Sequence, residues 1–184
     1  MTARKIFKVI AIFIAVIIAL ILLLVAFVWG SVEWNHYSKK KEAIRMQKEV
    51  CDTIKTVDGK LTIYLDGFNK KELQKIHFYL QQDKVLTKDT VVSAEPNNNN
   101  KDLQTIIMPF ENFNVNDKII VYVGKRFYVL SGFSYTAGYN YGMFGPVGSC
   151  ECRGGGYEKI NEKESGSGTL IKKYGLLDYQ LPPK

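Results

Sequence analysis

Residues 9–29, VIAIFIAVIIALILLLVAFVW, constrain this chain more than any other stretch: 21 consecutive residues carry no charge and no strongly hydrogen-bonding side chain. Coiled as an α-helix at about 1.5 Å per residue, the run is about 32 Å long and matches a hydrocarbon core of about 30 Å. A helix satisfies its own backbone, so lipid is a solvent it tolerates. Ile, Leu, Val, Ala and Phe occupy every face with no polar stripe, which argues against a helix lying on a water-soluble core. A cleaved signal peptide is the competing reading, with Arg4, Lys5 and Lys8 as its basic region. Such signals have an apolar segment of about 7–15 residues that ends in small residues. This run is longer, and Val28-Trp29-Gly30 is a poor cleavage site. The first cysteine after it is Cys51, so no lipid-attachment cysteine follows closely. We read a retained transmembrane anchor.

The anchor divides the chain into a cytoplasmic tail (1–8), the span (9–29), a collar and stalk helix (30–56) and a soluble domain (57–184). The last is one ordinary domain's worth of residues, enough for a core without disulfides. The net charge is +7. Residues 1–50 hold eight Lys/Arg against three Glu, whereas residues 51–184 hold seventeen Lys/Arg against fifteen Asp/Glu. The excess therefore flanks the span, where anionic headgroups attract it. The domain itself lacks the basic face that nucleic-acid binding needs. Arg4, Lys5 and Lys8 abut the span on one side, while the nearest residues on the other include Glu33 and no Lys or Arg until Lys39. This places the N-terminus in the cytoplasm and the domain outside it, although a bare Lys/Arg count favours the reverse.

Trp29, Trp34 and Tyr37 have apolar bodies and polar tips suited to the headgroup layer. Lys39, Lys40 and Lys41 follow within reach of lipid phosphates. Ser38 to Lys55 has strong helix formers and no Gly or Pro, so it reads as a stalk helix that Ser38 could cap. Within the span, Ala11, Ala15 and Ala19 recur at four-residue spacing, a pattern that can let helices pack closely.

Beyond Val57 the apolar period changes from helical to alternating. Leu61, Ile63 and Leu65 predict a half-buried strand, and Ile76, Phe78 and Leu80 another. Between them Asn69 is placed to cap a single turn over Lys70–Leu73. Val85-Leu86, Thr90–Ser93 and Leu103–Phe113 supply further short runs, the last interrupted by Pro109. Glu95–Asp102, EPNNNNKD, predicts an exposed loop. Lys118–Val123 and Phe127–Gly132 flank Gly124-Lys125-Arg126 and predict a hairpin with a three-residue loop. Tyr157–Asn161 and Thr169–Lys173 predict a final hairpin, and Leu176–Lys184 a surface tail. The fold expected is mainly β: a small antiparallel sandwich or barrel-like domain behind a single transmembrane helix.

Phe133–Gly148 is the most unusual soluble stretch. It interleaves Tyr135, Tyr139, Tyr141 and Phe144 with four glycines and a proline, and predicts a compact loop that displays rings. Those four residues are the candidate partner contacts; the alternative is that they close one end of the β core. Cys150 and Cys152 point to one face of an extended strand and cannot readily bridge each other. Cys51 can pair with Cys150 or Cys152, or all three can remain thiols. A metal site lacks a second Cys/His pair, because His36 and His77 are the only histidines. His77 shares a strand face with Tyr79, but nothing adjacent completes a catalytic triad. Ser165-Gly166-Ser167-Gly168 misses the nucleophile-elbow register, and Gly154-Gly155-Gly156 lacks the context of a phosphate loop. No cofactor is indicated and no enzyme is expected.

A single N-terminal anchor followed by one small extracytoplasmic domain resembles, in architecture only, the membrane-anchored immunity proteins that bacteria use against periplasm-acting toxins. That resemblance implies a binding module at the bacterial inner membrane that captures or neutralises a protein ligand. The alternative is a structural or assembly subunit of an envelope complex.

Overall fold

A computed structural model describes residues 3–94, 103–165 and 168–184. The predicted loop Glu95–Asp102 lies outside the described residues, as do Gly166 and Ser167 and the side chains of residues 3–9 and 11, Arg4, Lys5 and Lys8 among them. The chain begins with helix α1 (Ala3–Glu49), followed by a 3-10 turn at Cys51–Thr53. Strands β1 (Thr56–Val57) and β2 (Thr62–Asp66) precede the short helix α2 (Lys70–Leu73). Then come β3 (Ile76–Gln82), β4 (Val85–Val92), β5 (Leu103–Ile107), β6 (Phe113–Asn114) and β7 (Lys118–Val123). Two long strands, β8 (Arg126–Gly142) and β9 (Gly145–Ile160), are followed by β10 (Lys163–Glu164) and β11 (Thr169–Ile171). The molecule is mainly β behind one long N-terminal apolar helix, and no sheet closes into a barrel.

The chain divides into two compact units. The first comprises residues 1–46 with 138–151, and the second 47–137 with 152–184.

In the first unit, the span and the predicted collar are one uninterrupted helix. This corrects the expected break into an anchor and a separate stalk helix. Gly30 does not end α1, because the roughly 1 kcal/mol that one glycine costs is small against the many turns of helix on either side. Ser31 returns its hydroxyl to the carbonyl of Val28 at 2.8 Å, which satisfies it without opening the helix. Ser38 is interior and caps nothing, so the lysines after it are not a helix's first turn. The aromatic-glycine stretch is also corrected. It is the far half of a long β8–β9 hairpin, closed by a two-residue turn at Met143-Phe144, and not a compact loop.

In the second unit, a six-stranded sheet runs in the order β10-β9-β8-β7-β3-β4, a three-stranded sheet in the order β11-β2-β5, and β1 pairs with β6. The described pairings are antiparallel except β11 with β2, which run parallel. That pair is the exception in an otherwise antiparallel set, and it corrects the final hairpin: Tyr157–Ile160 continues β9, while Thr169–Ile171 joins the other sheet. Phe78 and Leu80, Ile119, Val121 and Val123, and Tyr128 and Leu130 line the inner face of the large sheet. They share one core with Ile63, Leu65, Ile106, Met108 and Leu170. This is sheet-on-sheet packing of alternating side chains. β5 stops at Ile107, two residues before Pro109, which cannot extend a ladder. The expected cap forms: Asn69 Oδ1 accepts the Glu72 N–H at 3.0 Å and Glu72 returns a carboxylate oxygen to the Asn69 N–H at 3.0 Å.

The β7–β8 hairpin is tighter than expected. Val123 pairs with Arg126, leaving only Gly124-Lys125, both at positive φ, as the turn. Asp83-Lys84 and Asn161-Glu162 make the same kind of two-residue turn without glycine. Along β8, Tyr128 and Leu130 face the core, and then the inward phase passes to Phe133. Gly132 at φ +71° supplies the extra residue that reverses the strand's faces. The tail does run over the surface but is fastened: Leu176 exchanges backbone hydrogen bonds with Phe127, and the Leu86 N–H reaches the Pro183 carbonyl at 2.9 Å.

Candidate functional site

In the first unit, the apolar side chains from Ile12 to Trp29 are uncovered, and none of the apolar window is buried. One N-terminal helix is therefore long and apolar enough to cross a membrane. Of the expected interfacial residues, Trp29, Trp34 and Tyr37 stand exposed. The Trp34 and Tyr37 rings lie 6.4 Å apart, and Lys41 Nζ sits 4.7 Å from the centre of the Tyr37 ring. Lys40 is open to solvent, whereas Lys39 is engaged. Its Nζ lies 3.4 Å from Glu42 Oε2, 3.3 Å from the Gly148 carbonyl and 4.6 Å from the centre of the Tyr139 ring.

Tyr139 is buried, with its hydroxyl beside the Glu42 carboxylate and Cys150. Burial pushes the phenol well above its ordinary range, and the neighbouring carboxylate adds to that. The Tyr139 hydroxyl is the main influence that holds Glu42 below the usual carboxylate range. Lys39, Glu42 and Tyr139 thus fasten the hairpin to α1. Gly145 is the next point of approach: a Cβ built there would fall 2.6 Å from His36 Nε2, so only glycine allows this contact. Tyr141 and Phe144 remain outward at 76% and 71% exposure. Met143 at 92% and Val147 at 48%, which the sequence reading did not single out, stand with them.

Tyr135 belongs to the second unit. Its hydroxyl accepts the Asp58 N–H at 3.0 Å and donates to the Thr56 carbonyl. Gln47 bridges the same strand, donating to the Tyr135 carbonyl at 2.9 Å and accepting the Ala137 N–H at 2.8 Å. Cys51 forms a disulfide with Cys152, Cα atoms 5.5 Å apart, and Cys150 keeps a free thiol. The four expected contact residues are thus separated: Tyr135 and Tyr139 hold the fold, and Tyr141 and Phe144 face outward.

On the outer face of the six-stranded sheet, His77 stacks on Tyr79 with ring centres 6.2 Å apart and meets Tyr122 edge-on at 5.9 Å. Tyr122 touches Phe127 at 4.5 Å, and Phe127 touches Tyr179 at 5.6 Å. These five half-exposed rings cross three strands and the tail, above the buried Leu86, Ile120 and Val129. Alternation on β3 hinted at the first two. The other three become neighbours only through strand pairing. A cleft of about 440 Å³ lined by Tyr128, Asn161, Lys163, Glu164 and Tyr174, among others, contains no histidine or cysteine. Among the described residues no three His, Cys, Asp or Glu side chains are grouped as a metal centre requires. No protein family, curated protein or solved structure matches the chain.

Proposed function

We propose that this chain is a membrane-anchored binding module, its β domain held outside the cytoplasm of a bacterial inner membrane, that captures or neutralises a protein ligand by contact. The observation that carries this reading is the ladder of His77, Tyr79, Tyr122, Phe127 and Tyr179. Rigid rings give a large contact area at low entropy cost, and interfaces concentrate their binding energy in such residues. A pair of stacked sheets beneath keeps the ladder in place. The Cys51–Cys152 disulfide supports an extracytoplasmic domain, since such bonds persist in oxidising compartments. The basic residues close to the N-terminal side of the span agree with that orientation.

The test is photo-crosslinking of the full chain in its native membrane from a reactive side chain at position 122, with position 60 as control. A single protein adduct from 122 alone is expected. Tyr122→Ala should then weaken binding of that protein at least about tenfold, as loss of a central interface ring does. Equal binding by Tyr122→Ala and His77→Ala variants would overturn the assignment.

A further inference from the structure

The hairpin in the first unit has a feature that neither the fold nor the proposed ligand surface uses. From Phe127 to Cys150 the chain carries no charged residue, and its turn projects Tyr141, Met143, Phe144 and Val147 into solvent. Four such side chains on one turn form an apolar patch that a water-soluble surface has no reason to keep. Where the patch lies decides what it meets. Tyr139 lies against Lys39 and Glu42, whereas Gly145, nearer the turn, lies against His36. Moving outward along the hairpin therefore means moving back along α1 toward the span. His36 is seven residues past Trp29, about 10 Å along the axis. The turn residues continue beyond Gly145 at up to about 3.3 Å per residue, which closes about 3 Å of that distance for Phe144 and about 7 Å for Met143 and leaves the level of Trp29 within reach of their long side chains. That is the depth of the headgroup layer.

We infer that the β8–β9 turn is a second membrane contact, with Tyr141, Met143, Phe144 and Val147 entering the interface of the same bilayer that α1 crosses. The inference rests on α1 being inserted. The chemistry fits this partner. Tyr and Phe bring apolar bodies, and Tyr a polar tip, which suits the interface. The absence of charge near the turn removes the desolvation cost that a Lys or Glu there would impose. The fastening of Lys39, Glu42 and Tyr139, and the glycine at 145, hold the turn beside the helix so that its entry needs little further ordering.

The test uses the full-length chain in lipid-only nanodiscs with methyl-labelled methionine, the Met143 signal being assigned by Met143→Leu. Two relaxation agents are compared: a nitroxide on the upper acyl chain and a water-soluble gadolinium chelate. Met143 should be broadened by the lipid nitroxide and shielded from the chelate, while Met108, buried in the β core, responds to neither. A nitroxide-sensitive label at Val16→Cys, in a Cys150→Ser chain, reports insertion of α1 separately. If the Val16 label senses lipid but Met143 behaves as a water-exposed methyl, the turn inference fails while the anchor stands. Such a turn would then be free for a protein ligand. If the Val16 label does not sense lipid, the anchor reading and the inference fall together.

Discussion

Isoleucine and leucine meet opposite fates in the two units of this molecule. In α1 the large apolar side chains from Ile12 to Phe27 are 41–78% exposed, whereas Ile63, Ile76, Ile119 and Leu130 in the β unit are entirely covered. The residue types are the same and the pattern differs. An unbroken run leaves no face for water, so the surrounding medium must supply the apolar contact. An alternating run divides its faces and buries one against another sheet. The difference teaches that the β unit derives its stability from packing within itself, whereas the apolar stretch of α1 has no such covering among the described residues.

The sharpest way to break this comparison is truncation on each side. Phe78→Ala, at a position with no exposure, should cost the β unit about 3–5 kcal/mol. Leu22→Ala, also a large-to-small change, should leave the denaturant midpoint of the β unit unmoved in detergent. Equal losses would mean that the helix is packed like a core element. A second and smaller effect concerns the covalent link at the start of the β unit. Cys51 and Cys152 are 101 residues apart, so Cys152→Ser should destabilise that unit by about 2–4 kcal/mol in denaturant unfolding. Cys150→Ser should not reproduce that loss, because Cys150 is a free thiol.

The smallest effect sharpens the comparison through pH. Burial tends to raise the Glu72 carboxyl, but the Lys172 ammonium and the Asn69 N–H outweigh it and hold the group below its ordinary 4.5. A carboxylate with a depressed folded pKa contributes stability that is present above 4.5 and lost as pH falls through the folded value. The Glu72–Lys172 bridge is partly exposed, so the contribution is below about 1 kcal/mol. Unfolding of Glu72→Gln should therefore be less acid-sensitive than wild type by that margin, read as a flatter midpoint-versus-pH curve below 4.5.

Several elements were legible for reasons that are purely local. The span follows from length and hydropathy, β2 and β3 from alternation, and the α2 cap from Asn69 with Glu72 three residues on. The misses were equally physical. Asn161-Glu162 forms a hairpin turn that lacks the glycine cue, so the β9–β10 turn was not visible, whereas the polar Gln82-Asp83-Lys84 marked the β3–β4 turn. Ser38 followed by three lysines imitated a helix start, yet helix propensity on both sides of Gly30 carried α1 through. The aromatic-glycine stretch imitated a compact loop because its glycines suggest tight turns. Gly145 serves instead as a point of close approach, and Gly132, just ahead of the stretch, reverses the strand's faces.

By itself the sequence determined that this chain holds a membrane-length apolar helix and a β-rich remainder, because hydropathy and periodicity act through nearest neighbours along the chain. Only the tertiary structure decided that β11 joins β2 in parallel, that Cys152 and not Cys150 meets Cys51, and that Tyr139 is buried while Tyr141 is not. Those outcomes depend on which strands pair and on where a bulge reverses their faces. Contacts between residues as much as a hundred positions apart fix both, and no local pattern encodes them.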